Sequence, residues 1–199
     1  MTPYAFVTWR GVIAGTALWL LVLWRLRRQP RYRVTLRSLP PRERLALGVF
    51  VVANIVLNTS LFIAFERVPI AIALLTFYTY PVLLAVYGRV SGTESLGFVK
   101  VASLGMALLG LGLVVSAQFD PAADLVLDPI GLAMGGVACI TAAVWVGAGR
   151  ACASVPAEQA MGLALVCTVA VVGTMALIAG QEAALRHPLE HPDALALVL

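Results

Sequence analysis

Five polar residues and one helix-kinking proline in the apolar parts of this 199-residue sequence are candidates to line a site for a small polar solute. They are Arg10, Asn54, Asn58, Thr76, Tyr80 and Pro81. Charged groups and unpaired amides are costly in hydrocarbon, so each such group needs a protein partner, water or a route to the membrane surface. We therefore take these six as the candidate substrate-binding residues and expect no catalytic role for them.

Arg10 is the only charged residue inside its apolar run. Its guanidinium stays protonated, and placing it in hydrocarbon costs at least about 2.5–3.5 kcal/mol on insertion scales. The side chain lies near one end of the run and can extend to that membrane surface. The alternative is that it faces an aqueous cavity and binds an anionic group of a substrate. Gly11 and Ala14 beside it indicate a closely packed face and slightly favour the cavity.

Asn54 and Asn58 are four residues apart in the second apolar run. At this spacing their side chains share one helix face with Phe62. An amide at this depth needs a partner on another helix or contact with water. The spacing leaves two interpretations open, namely hydrogen bonds that join two helices and a polar wall of a substrate path.

The third apolar run contains the segment TFYTYP, which ends in Pro81. Proline has no N–H, so the carbonyl of Phe77 loses its helical partner and the sequence predicts a kink. A freed carbonyl at membrane depth is tolerated only where protein or a water-filled cavity satisfies it. The kink, with Thr76 and Tyr80 close by, is either part of a binding site near the midplane or a structural feature.

Other chemistry is not supported by the sequence. The segment HPLEH at 187–191 matches the inverted zinc-protease pattern, but Pro188 and Pro192 place it in an acidic loop rather than on a helix. The three cysteines are too scattered for a disulfide framework or a zinc site. The sequence also has no nucleophile-elbow or phosphate-loop motif. We expect no metal, no cofactor and no enzymatic activity.

The elements that position the six candidates are long apolar helices. Apolar residues without glycine make up 61% of the chain, whereas an ordinary soluble domain has about 45–50% with glycine included. Six runs are each long enough to cross a bilayer core of about 30 Å as a helix. They cover residues 4–24, 45–65, 68–88, 99–117, 129–149 and 159–180. The composition predicts an all-α, polytopic membrane protein and excludes a soluble enzyme.

Positive charges flank the runs and predict the orientation in the membrane. Of the 14 Lys and Arg residues, eight are arginines between Arg25 and Arg44. Counting alternate loops places eleven on one side and two on the other, with Arg10 inside a run. The positive-inside rule puts the Arg25–Arg44 loop in the cytoplasm. The net charge of +4 therefore reflects membrane topology, and no nucleic-acid partner is expected.

Several motifs give the chain a family resemblance. The stretch RVPIAIALLTFYTYPVLLAVYGRVSGTESL, with GMALLGLGLVV after it, resembles the EamA type of the drug/metabolite transporter superfamily. Glu94 matches the glutamate of the family's cytoplasmic turn, and Arg10 in WRGVIAGTALWLL matches the arginine near the start of its second helix. The segment GLAMGGVACITAAVWVGAGR, with Trp145, is similar to the helix that opens the second repeat.

The resemblance implies ten helices in two inverted five-helix repeats, of which the six runs match the second to the seventh. Residues 1–118 then form a first repeat without its first helix, and residues 129–199 form the start of a second. The six residues after Asp193 are too short to cross a membrane, which also indicates a fragment of a longer protein.

The function implied is a secondary-active exporter or exchanger of small metabolites in the cell membrane, with amino acids among the candidate solutes and alternating access as the mechanism. The alternative is a non-transporting membrane subunit or inactive fragment that completes a partner helix bundle. The expected partners are a small-molecule substrate and the lipid bilayer. A second copy of the chain, or the missing helices of the same transporter, would complete the bundle.

Overall fold

The computed structural model describes residues 3–28, 39–92, 97–117 and 128–178 of the chain, and the described residues contain helices and no strands. The helices are α1 Pro3–Arg28, α2 Pro41–Arg67, α3 Ile70–Phe77, α4 Tyr80–Val90, α5 Phe98–Ala117, α6 Pro129–Ala151 and α7 Ala157–Ile178. Glu94, the HPLEH segment and three arginines of the basic loop (Arg31, Arg33 and Arg37) lie outside the described residues.

The helices follow the apolar runs closely, because a run of about 20 apolar residues can satisfy its backbone in a membrane only as a helix. Within the described residues, four stretches are long and apolar enough to cross a membrane. They are Pro41–Arg67, Ile70–Val90, Pro129–Ala151 and Ala157–Met175. The described apolar part of α5, Val101–Leu113, is shorter. The predicted class, an all-α polytopic membrane protein, is confirmed.

The third apolar run forms two helices rather than one, because α3 ends at Phe77 and α4 begins at Tyr80. The backbone N–H of Thr79 donates to the carbonyl of Thr76 at 3.4 Å, so the last turn of α3 tightens to a three-residue spacing. Pro81 stands in the first turn of α4, where its missing N–H is tolerated. The predicted kink is therefore present as an interruption at Tyr78 and Thr79.

The contacts of the chain define two compact units, one of Met1–Asn58 with Ala148–Leu199 and the other of Thr59–Gly147. They differ from the predicted division into 1–118 and 129–199, which is a division by sequence repeat and stays a prediction.

In the first unit, α1 packs against α7 through small residues. A β-carbon on Gly11 would lie 2.5 Å from the side chain of Val169, and one on Gly15 would lie 3.9 Å from that of Leu165. Close approach of this kind is how helices associate in a membrane, where burial in lipid supplies little driving force. The glycine pair of α1 is thus used for packing within the chain.

The second unit has a small apolar core at the junction of α2 and α3. Ala64, Val68 and Ala73 are buried there. Leu132 and Met134 of α6 pack against these residues. The core fixes the start of α3. It therefore also positions the interruption at Tyr78 and Thr79, which follows the end of this helix.

Candidate functional site

A polar cluster links α2 to α7 in the first unit. Asn54 and Thr168 are each 3% exposed, and the hydroxyl oxygen of Thr168 lies 3.0 Å from Oδ1 of Asn54. Nδ2 of Asn58 donates to the backbone carbonyl of Asn54 at 2.8 Å and lies 3.3 Å from Oδ1 of the same residue. The two asparagines are therefore in contact, and Asn54 has the partner on another helix that its burial requires.

Thr168 is the member of this cluster that the sequence did not identify. Its hydroxyl also lies 2.8 Å from the carbonyl of Ala164, the usual partner of a threonine inside a helix. Thr141 and Thr174 make similar contacts within their own helices. The sequence therefore held no signal that singles out Thr168, because the distinction depends on which side of α7 faces α2.

Arg10 lies on α1 in the same unit as the asparagine cluster, and its side chain is exposed. Gly11, next to it, is buried against Val169, whereas Ala14 is exposed. Only one of the two small neighbours thus belongs to the packed face. The exposure of Arg10 is compatible with both interpretations offered by the sequence, and its place in a binding site stays a prediction.

The remaining three candidates, Thr76, Tyr80 and Pro81, lie at the interruption between α3 and α4 in the second unit. Oγ1 of Thr76 donates to the carbonyl of Ile72 at 3.0 Å. The ring of Tyr80 lies 5.4 Å from that of Phe77 at an interplanar angle of 41°. All three are half-buried. The three therefore lie at the interruption, and their place in a binding site stays a prediction.

Thr79 is a second polar residue that the candidate set omitted. Its hydroxyl donates to the carbonyl of Thr76 at 2.6 Å, and its Oγ1 lies 3.1 Å from Sγ of Cys139 on α6. The first contact satisfies a carbonyl at the end of α3. The second ties the interruption to a neighbouring helix, so Thr79 stabilises the break. The sequence signal that could have identified Thr79 was its position directly before Tyr80 and Pro81.

Charged residues in the first unit join α1 to α7, and α2 to the loop between α6 and α7. Arg25 in the last turn of α1 forms an ion pair with Glu158 in the first turn of α7. The carboxylate of Glu43 accepts hydrogen bonds from the hydroxyl and the backbone N–H of Ser154, at 2.9 and 3.3 Å. Burial raises the pKa of the Cys152 thiol beside this contact, and the charge of Glu43 raises it further.

An ion pair in the second unit joins the end of α2 to the start of α6. Nη1 of Arg67 lies 2.9 Å from Oδ2 of Asp128, and Oδ1 of Asp128 accepts the backbone N–H of Ile130 at 2.9 Å. Asp128 therefore satisfies one of the free N–H groups at the start of α6. The Arg67 guanidinium, followed by the Ile130 N–H, holds the pKa of Asp128 below its ordinary value.

No group of three or more His, Cys, Asp or Glu side chains within the described ranges is arranged to hold a metal ion. The cluster of Asn54, Asn58 and Thr168 and the interruption at Tyr78 and Thr79 offer instead neutral hydrogen-bonding groups inside apolar helices. Such groups can bind and release a polar solute through hydrogen bonds.

The sequence profile of the EamA-like transporter family matches residues 1–116 of this chain. The matched range contains all six candidate residues and the interruption between α3 and α4. No curated protein and no solved structure gives a significant match.

Proposed function

This chain belongs to the EamA-like transporter family, and on that premise we propose that it is a secondary-active exporter or exchanger of small metabolites. The family match over residues 1–116 is the observation that carries the proposal. The four stretches long and apolar enough to span a membrane support it, since a multi-pass helical protein is what such transport requires.

We propose that the substrate contacts come from Arg10, Asn54, Asn58, Thr76, Tyr80 and Pro81. Asn54 supports this role because a buried amide in an apolar span is costly and is usually retained for function. The interruption at Tyr78 and Thr79 supports it as well. Broken helices at membrane depth are typical of transporter binding sites, where irregular backbone lines a cavity.

We propose amino acids as the solute class and the plasma or inner membrane as the location, with the Arg25–Arg44 loop in the cytoplasm. Secondary-active transport needs no nucleotide, because a solute gradient or a coupling ion supplies the driving force. The arginines at the end of α1 fit the cytoplasmic assignment, since positive loops stay on that side.

Counterflow in proteoliposomes tests the proposal. The purified full-length protein is reconstituted into vesicles loaded with unlabelled L-serine, L-leucine or L-phenylalanine, and uptake of the same labelled amino acid is measured. We expect transient accumulation of label that protein-free vesicles lack. Asn54→Leu should abolish it, whereas Val52→Leu, at a position of α2 that is 60% exposed, should not.

Absence of counterflow for all three amino acids would contradict the amino-acid proposal, provided that the reconstituted protein unfolds cooperatively. It would favour the alternative of a subunit that completes a partner bundle. Counterflow that survives Asn54→Leu would leave the transport function intact but remove Asn54 from the site.

A further inference from the structure

The side-chain orientations of Asn54 and Asn58 can be assigned from their mutual contacts. The atom of Asn58 that lies 2.8 Å from the backbone carbonyl of Asn54 must be the amide nitrogen, because a carbonyl oxygen only accepts hydrogen bonds. The same nitrogen lies 3.3 Å from one side-chain atom of Asn54. A nitrogen there would set two donors against each other, so this atom is Oδ1.

Thr168 holds the same atom of Asn54 from the neighbouring helix. Its Oγ1 lies 3.0 Å from Oδ1 of Asn54 and 2.8 Å from the carbonyl of Ala164. A hydroxyl has one proton, and both of these neighbours are acceptors, so the proton is shared between them. Asn58 on α2 and Thr168 on α7 therefore both fix the carbonyl side of the Asn54 amide.

The nitrogen side of the Asn54 amide consequently points away from both partners. Among the residues that the structure describes, none accepts a hydrogen bond from Nδ2 of Asn54, and this nitrogen is not one of the fully buried side-chain atoms that lack a partner. The side-chain oxygen of Asn58 likewise has no donor within the described part of the chain. One face of α2 thus presents a pair of N–H donors and, four residues on, an acceptor.

We propose that Thr168 is a positioning residue that holds the Asn54 amide so that its Nδ2 donates to the transported solute. The solute class that fits has a carbonyl or carboxylate oxygen beside an amino or hydroxyl donor. Its oxygen accepts from Nδ2 of Asn54, and its donor meets Oδ1 of Asn58. This inference rests on the proposed transport function and adds a seventh residue, Thr168 of α7, to the six proposed for that site.

Two substitutions at Thr168 separate positioning from packing. Thr168→Ser keeps the hydroxyl, whereas Thr168→Val keeps the shape and removes it. Thr174→Val is the matched control, since Thr174 is an exposed threonine of α7 that bonds its own helix. In L-serine counterflow we expect Thr168→Val to raise KM about fivefold, the effect of one lost hydrogen bond, with little change in the maximal rate. Thr168→Ser and Thr174→Val should match the parent.

An equal KM for Thr168→Val and the parent would overturn the inference. A KM for Thr168→Ser that rises as much as that of Thr168→Val would also overturn it. A fall in maximal rate alone would also overturn it, because positioning of a binding group acts on KM.

A measurement independent of transport distinguishes this inference from the proposed function. Cysteine is introduced at Asn54, Asn58 or Val52 in a chain whose native cysteines are replaced by serine, and labelling with a small water-soluble methanethiosulfonate is timed. Labelling at positions 54 and 58, with little at the apolar surface position 52, would support a polar path even if serine is not moved. No labelling at 54 would overturn the inference even if serine is moved.

Discussion

Gly131 lies so close to Arg67 that a β-carbon on the glycine would be 2.8 Å from the β-carbon of the arginine. Val68 comes equally close, at 2.8 Å. Four residues further along α6, a β-carbon on Gly135 would lie 3.3 Å from Cβ of Thr76. This pair of glycines, four residues apart, is therefore an intrachain packing surface, and it sets the position of α6 against the end of α2 and the last turn of α3.

Substitution of Gly131 by alanine should destabilise the protein, because the new methyl group meets atoms that are not at the flexible ends of side chains. We expect a loss of about 1–3 kcal/mol, as for other overpacked sites. Gly136→Ala is the control, since a β-carbon there meets nothing within 4 Å and alanine favours the helix by about 1 kcal/mol. Thermal unfolding in detergent measures the effect. We expect a midpoint below that of the parent for Gly131→Ala and a midpoint equal to or above it for Gly136→Ala. Equal midpoints for the two variants would contradict the close packing at Gly131.

The pair formed by Asp128 and Arg67 should make stability depend on pH in the acid range. The pKa of Asp128 is lowered in the folded protein, chiefly by Arg67, so the stabilisation is complete above the unfolded pKa of about 3.9. It is lost as the pH falls through the lower folded pKa. Asp128→Asn keeps an acceptor for the N–H of Ile130 but removes the charge.

Thermal midpoints of the parent and of Asp128→Asn, measured from pH 7 to pH 3, check this prediction. The two curves should be separated at pH 5–7 and converge below about pH 4. Curves that coincide, or that keep a constant separation over the whole range, would show that the charge of Asp128 does not contribute to stability.

Most of the fold was predictable because one physical requirement dominates it. A segment in lipid must satisfy its backbone internally, so apolar length alone predicts helices such as α6, expected at 129–149 and observed at Pro129–Ala151. The break before Pro81 was predictable for a similar local reason, the missing N–H. Local chemistry did not predict that α3 would end as early as Phe77, since this depends on the hydrogen bonds of Thr79.

The candidate site was less predictable, because its partners come from other helices. The sequence indicated that Asn54 needs a partner and could not identify Thr168, since every threonine in an apolar helix can bond its own backbone. The Cys139 contact of Thr79 has the same origin. Spacing along one helix gives the residues on a face, whereas the neighbour of that face is set by tertiary packing.

The orientation of the protein in the membrane is testable at Ser38, in the basic loop that we place in the cytoplasm. In a chain without native cysteines, Ser38→Cys should resist a membrane-impermeant maleimide in intact cells and react after permeabilisation. A cysteine at Gln181, in the loop we place outside, is the control and should react in intact cells. Rapid labelling of position 38 from outside would reverse the assignment of every helix.

The final prediction concerns Pro81. Pro81→Ala restores an N–H for the carbonyl of Phe77, so α3 and α4 should join into one helix across Tyr78 and Thr79. Alanine is favoured over proline by about 3 kcal/mol in a helix interior, so folding should be retained or improved. If the interruption lines the substrate path, a continuous helix removes it and export should fall.

Export of amino acids from cells that make the full-length protein, at matched membrane abundance, measures this effect. Pro129→Ala is the control, because Pro129 occupies the first position of α6, where proline and alanine are both accepted. We expect reduced export for Pro81→Ala and normal export for Pro129→Ala. The thermal unfolding midpoint of each variant should equal or exceed that of the parent. Undiminished export by Pro81→Ala would show that the interruption is structural, and Thr76, Tyr80 and Pro81 would then leave the proposed site.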